Sequence, residues 1–235
     1  MRFLRDFFRS IKYRLKFIGI KKNLNYTYLS NGKTNQELKD LMDHYGSDKG
    51  GKNDHHNFTY YYSQIFNSKK EKIKNFLEIG LGTNNIDILS NMGKDGKPLA
   101  SLRAWRDYFV NANIYGADID KSILKNEERI KTYFVDQTNS KSIADMFKNI
   151  GISKFDVILE DGLHEFNANI CFFENSIKFL ANDGTYIIED VYYKDQEKFI
   201  KYFEKKKYNF SIIDIFHHKN IANNCLIVIE KNEKE

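Results

Sequence analysis

An α/β fold built on a mostly parallel sheet is what the sequence predicts, on three observations. From residue 76 onward, compact apolar runs ending in an acid or a glycine alternate with longer segments of helical periodicity, the pattern of strands joined by crossover helices. The chain closes with two apolar runs, FSIIDIF and CLIVIE, separated only by a polar turn, which reads as a hairpin rather than another crossover. The 235 residues, 41% hydrophobic and 29% charged, show no compositional break, so the material suits one substantial core.

Taken in order, the first 22 residues hold eight Lys or Arg against the single Asp6, leaving the remainder slightly acidic although the whole chain is +5. Phe3, Leu4, Phe7, Phe8, Ile11, Leu15 and Ile18 recur at helical spacing, with Arg2, Arg5, Arg9, Lys12 and Lys16 mostly opposite, so an amphipathic basic helix is expected. Three placements are open for residues 1–22: an anionic membrane surface, a partner or second subunit, or the chain's own domain. The acidic balance of the body argues against nucleic acid as a partner. QELKDLMDHY and TYYYSQIF read as helices flanking the polar loop HYGSDKGGKNDHHNFT. The expected division is a basic segment at 1–35, a helical and loop lid region at 36–70 and the main domain at 71–235.

Within the main domain, strands are expected at 76–80, 114–118, 132–136, 155–160 and 185–190, with helices near 100–109, 140–150, 165–180 and 195–206. The stretch 84–98 is longer than an ordinary βα loop and reads as an exposed insertion. Cys171 and Cys225 lie far apart with neither metal-ligand nor disulfide-scaffold spacing. No apolar run reaches the roughly 18 residues of a membrane span, and no secretory apolar core opens the chain. A cytoplasmic location is expected, membrane-peripheral if the basic helix engages a bilayer.

Ligands of open α/β sheets bind beyond the carboxyl ends of the strands, and those ends carry the chemistry here. Glu78, Gly80 and Gly82 in LEIGLG allow a tight turn and close backbone approach. Asp118 is placed to accept from ribose hydroxyls, and Asp136 and Gln137 to meet an adenine edge. A dinucleotide fingerprint puts its acid about 20 residues past the glycines, whereas Asp118 lies 38 beyond Gly80 and Asn85 replaces the third glycine. VILEDGLHEF and TYIIEDV bring Glu160, Asp161, His164, Glu189 and Asp190 to neighbouring strand ends. Converging carboxylates call for a cation, and hard oxygen ligands favour magnesium, manganese or calcium. Helix caps and solvated turns are the plainer explanation of the same acids. A neutral imidazole at His164 is chemically competent to take a proton from a hydroxyl.

Together, LEIGLG, SLRAWRDYF, IYGADID, VDQTN, EDGLH and IIEDV, with YGSDKG and HNFTYYYSQIF upstream, resemble the metal-dependent sugar O-methyltransferases of the mycinamicin and novobiocin pathway type and their capsule or surface-glycan relatives. The resemblance implies a class I methyltransferase sheet, Rossmann-like and doubly wound, mostly parallel with a C-terminal antiparallel hairpin strand. It implies S-adenosylmethionine (SAM) held by Glu78, Gly80, Gly82, Ser101, Asp118, Asp136 and Gln137. Asp161, Glu189 and Asp190 would ligate Mg2+ or Mn2+, and His164 with Asp161 would be catalytic. The loop carrying Ser47, Asp48, Lys49, His55 and His56 would cover cofactor or substrate. The expected acceptor is a sugar hydroxyl, that of a nucleotide-activated sugar for capsule or surface polysaccharide. Methylation of another small metabolite, an NAD-dependent oxidoreductase on a related sheet and a non-catalytic adaptor using the basic helix stay open as alternatives, as does assembly into a homo-oligomer.

Overall fold

The computed structural model describes residues 8, 25–29, 36–51, 55–217 and 219–231. Apart from Phe8, the basic segment 1–22 and its expected helix lie outside them. The described residues form strands β1 (Asn25–Leu29), β2 (Asn75–Ile79), β3 (Asn113–Asp118), β4 (Ile130–Phe134), β5 (Phe155–Glu160), β6 (Leu180–Ile188), β7 (Phe210–Ile215) and β8 (Cys225–Glu230). Helices are α1 (Gln36–Tyr45), α2 (Thr59–Phe66), α3 (Ala100–Tyr108), α4 (Ser140–Ile150), α5 (Phe166–Ser176) and α6 (Gln196–Lys206).

Strand order across the eight-stranded sheet is β1-β7-β8-β6-β5-β2-β3-β4. β6, β5, β2, β3 and β4 run parallel, β8 lies antiparallel between β6 and β7, and β1 pairs parallel with β7. The expected fold class holds, hairpin included. β1 was not anticipated: NYTYL is a five-residue edge strand, too short for periodicity to separate it from a linker. The helix expected at 165–180 stops at Ser176, passes through a 3-10 turn at Ile177–Phe179 and yields Leu180 to the start of β6.

Side chains alternate across each strand, and each sheet face has its own core. Leu77, Ile79, Ile158, Tyr186 and Ile188 pack toward α4, α5 and α6 with Phe147, Phe172, Phe173 and Phe203. Phe76, Val157, Leu159 and Ile187 pack toward α1, α2 and α3 with Met42, Tyr62, Phe66 and Trp105. The region 36–70 thus contributes core on one face as well as loop. This alternation also sorts the acids. Glu78 and Glu189 fall on the α1–α3 side, and Glu160 falls on the α5 side. The chain winds outward from β2 to β3 and β4, then returns to place β5 on the other flank of β2, so the switch point lies between β2 and β5.

Candidate active site

At that switch point the ends of β2 and β5 nearly touch. Asp161 N donates to Ile79 O at 2.9 Å, and Gly80 N donates to Ala117 O at 2.9 Å. Gly80 at φ +85° and Gly82 at φ +77° occupy the left-handed region that glycine enters freely. Beside this turn, Asp118 is buried and accepts from Leu81 N at 2.6 Å and Asp120 N at 2.8 Å. Ser101 stands buried in the first turn of α3. Ile119, 49% exposed, offers an apolar surface beside Asp118.

Two expected cofactor residues are engaged within the protein. Asp136 accepts from Thr138 N at 2.9 Å and Thr138 Oγ1 at 2.6 Å. Gln137 donates Nε2 to Glu160 Oε1 at 3.1 Å and accepts from Leu163 N at 2.6 Å, tying the loop after β4 to the EDGLH loop. Glu160 is fully buried and also accepts from Asn169 Nδ2 at 2.7 Å and Tyr186 OH at 2.8 Å. Burial outweighs these three donors and pushes its carboxyl up to about 8. An acid raised on folding stabilises the native state fully below its unfolded value near 4.5, and that contribution is lost as pH rises toward about 8. Glu160→Gln is therefore expected to flatten the fall of melting temperature across this window. Thermal melts of both proteins from pH 5 to pH 8 check it, and identical slopes would refute the assignment.

The acid and histidine cluster lies past β5 and β6. Asp161, His164 and Asp190 each place a ligand atom within 4.8 Å of the others. His164 Nε2 is 3.9 Å from Asp161 Oδ1 and 3.6 Å from Asp190 Oδ2. His164 at φ +58° and Asp190 at φ +55° are both left-handed, a conformation costing about 1 kcal/mol or more for a residue with a Cβ and concentrated at functional sites. His164 Nδ1 and Asp190 Oδ1 are buried without a hydrogen bond, although His56 Nδ1 lies 3.2 Å from the latter. Burial lifts Asp190 to about 7 against the pull of His164. Close-set carboxylate oxygens, one of them buried without a hydrogen bond, fit a hard divalent cation.

Glu189 joins the cluster differently. Both its oxygens are engaged, one by the Tyr62 hydroxyl and the other by the Lys49 ammonium. Lys49 also contacts Asp161 Oδ2 at 2.5 Å and stands 3.5 Å from Glu78 Oε1. The 3-10 turn Asp48–Gly50, capped by Ser47, delivers this buried lysine. Burial opposes its charge, but Asp161, Glu189 and Glu78 outweigh it and hold Lys49 well above its usual value. Burial likewise raises Asp161, yet Lys49 and His164 bring it below the ordinary carboxylate range. Glu78 is raised by burial to about 7 despite Lys49.

Sequence reasoning assigned the 44–59 loop only to covering the site, and it missed Tyr62 and the β7–β8 turn. That turn grips the loop: Asn224 Nδ2 donates to Asn57 Oδ1 at 2.7 Å, Asn57 Nδ2 to Phe216 O at 3.0 Å, and Asn220 Nδ2 to His55 O at 2.9 Å. The only sequence signal for these contacts was the density of polar groups in YGSDKG and HHNFT.

The sheet order, the glycine turn at the switch point and the acid ending β3 define a class I methyltransferase fold. MycE, a methyltransferase of the mycinamycin biosynthetic pathway solved with Mg, SAH and mycinamycin VI, superposes with a TM-score of 0.63 at 23% identity, covering 85% of this chain and 56% of that one. The 8-demethyl-8-alpha-L-rhamnosyl tetracenomycin-C 2'-O-methyltransferase of Streptomyces olivaceus is 30% identical over 154 residues, which are 66% of this chain and 37% of that protein. Mycinamicin VI 2''-O-methyltransferase of Micromonospora griseorubida is 30% identical over 163 residues, 68% of this chain and 37% of its own length. The chain thus matches little more than a third of these curated relatives. No protein-family model matches it.

Proposed function

We propose that the chain is a SAM-dependent, divalent-metal-assisted O-methyltransferase acting on a sugar hydroxyl. The observation that carries this reading is the convergence of Asp161, His164 and Asp190 next to the Gly80 turn, which supports reading a proton acceptor and a cation seat beside a cofactor cleft. Asp161, Glu189 and Asp190 would hold Mg2+ or Mn2+. Such an ion lowers the pKa of a hydroxyl, and SAM supplies an electrophilic methyl group. His164 is placed to take the proton of the acceptor hydroxyl, whose oxygen would then accept the methyl group that bound SAM would supply. Gly80, Gly82 and Ser101 shape the cofactor cleft, and Asp118 orients the ribose. Alignment of acceptor oxygen and methyl group is what these residues contribute most.

The glycoside methyltransferases among the relatives support a sugar hydroxyl as acceptor. The finer choice, a nucleotide-activated sugar for capsule or surface polysaccharide, rests on the sequence resemblance; the relatives above are named for glycosides of tetracenomycin C and mycinamicin VI. Partner or membrane contact through 1–22 is kept as a separate proposal, tested by deleting that segment and measuring vesicle binding. Among the described residues no helix is long and apolar enough to cross a membrane.

Calorimetric titration with SAM, S-adenosylhomocysteine and NAD, with Mg2+ and with EDTA, tests the main reading. Binding of S-adenosylhomocysteine supports it and opens a screen of nucleotide sugars against glycosides. Binding of NAD alone overturns it.

A further inference from the structure

Lys49 is the feature that the reaction scheme leaves unused. Its side chain is only 3% exposed, and its ammonium touches Asp161, contacts Glu189 and lies 3.5 Å from Glu78. Two of these acids are ligands in the proposed metal set, and each Glu189 oxygen already has a partner: Tyr62 on one and Lys49 on the other. A metal that drew on Glu189 would compete with these partners for the same carboxylate charge. A dication on the remaining oxygen of Asp161 would also stand next to the Lys49 charge, and like charges this close repel strongly where water is excluded.

We propose that Lys49 is a built-in counter-cation, an alternative partner of Asp161 and Glu189 that competes with the divalent metal and keeps its binding weak and exchangeable. The inference rests on the methyltransferase reading for the identity of the metal ligands. It explains why a loop otherwise held by asparagine hydrogen bonds sends a lysine into the floor of the site. Three close-set carboxylates, two of them buried, would repel one another without a cation, and Lys49 keeps them together while the metal is away. Metal entry transfers Asp161 and Glu189 from the ammonium to the dication.

The test is Mn2+ titration of the full chain by calorimetry, without acceptor, for wild type, Lys49→Met and Lys49→Gln. Removing the competing charge should tighten Mn2+ binding by about tenfold or more, and Mn2+ should raise the melting temperature of the variants more than that of wild type. Unchanged or weaker Mn2+ binding in folded variants would overturn the proposal. If neither variant folds, amine acylation of wild-type Lys49, read by mass spectrometry, decides: labelling should rise several-fold on adding Mn2+, and constant labelling counts against the idea. S-adenosylhomocysteine binding is measured in the same preparations. Wild type that binds neither it nor Mn2+ refutes the methyltransferase reading, whereas wild type that binds both beside variants of unaltered Mn2+ affinity refutes only the role of Lys49.

Discussion

Replacement of His164 by alanine or asparagine is expected to slow methyl transfer by on the order of 10²–10⁴-fold, the usual contribution of a general base, and to leave S-adenosylhomocysteine affinity essentially unchanged. The imidazole stands 3.9 Å from Asp161 and 3.6 Å from Asp190. Its loop is anchored independently of the ring: Leu163 N donates to Gln137, and Ser90 Oγ donates to Leu163 O at 3.0 Å. Asparagine is the cleaner substitution because position 164 is left-handed and asparagine enters that region more readily than alanine. Turnover is measured with the acceptor found by the sugar screen. Near-normal rates in both variants would show that another group takes the proton, and the acid–base part of the scheme would be withdrawn.

What could be read from the sequence follows from the range over which each signal acts. Strand ends and helices of the main domain are local patterns, so LEIG, YGAD and VILE announced both the elements and the acids at their tips. EDGLH and IIEDV were informative for a further reason. Neighbouring parallel strands in register bring Glu160 opposite Ile188, so the residues that follow them must also meet. Contacts made across the fold left no such trace. Lys49 reaches Asp161 over 112 positions and Tyr62 reaches Glu189 over 127. Nothing local distinguishes a lysine that will be buried from one in a solvated loop. The place of Gln137 after a strand suggested a ligand contact, and nothing local signalled that its amide also bridges Glu160 and Leu163.

Gly80→Ala should abolish cofactor and metal binding together, which no single ligand substitution is expected to do. A Cβ at this position would stand 1.9 Å from Asp161 O, 2.4 Å from its carbonyl carbon and 2.8 Å from Gly162 N, on a residue at φ +85°. All three atoms belong to backbone, so no side-chain rotation relieves the overlap. The ends of β2 and β5 have to part, and the parting moves the glycine turn on one side and Asp161 on the other. Calorimetry should show affinity for both S-adenosylhomocysteine and Mn2+ reduced by at least about 100-fold, in keeping with the cost of forcing atoms into a filled site. Far-ultraviolet circular dichroism should still report the fold, because both cores lie below the strand ends. Gly93→Ala supplies the control. That glycine is also left-handed, at φ +71°, but its added Cβ would meet nothing within 4 Å, leaving only a conformational cost of about 1 kcal/mol. Normal binding by Gly93→Ala beside lost binding by Gly80→Ala would assign the effect to close approach of two strands rather than to backbone handedness. Normal binding by both would mean that the switch point tolerates separation, and that the cofactor turn and the acid cluster are not held together by this contact.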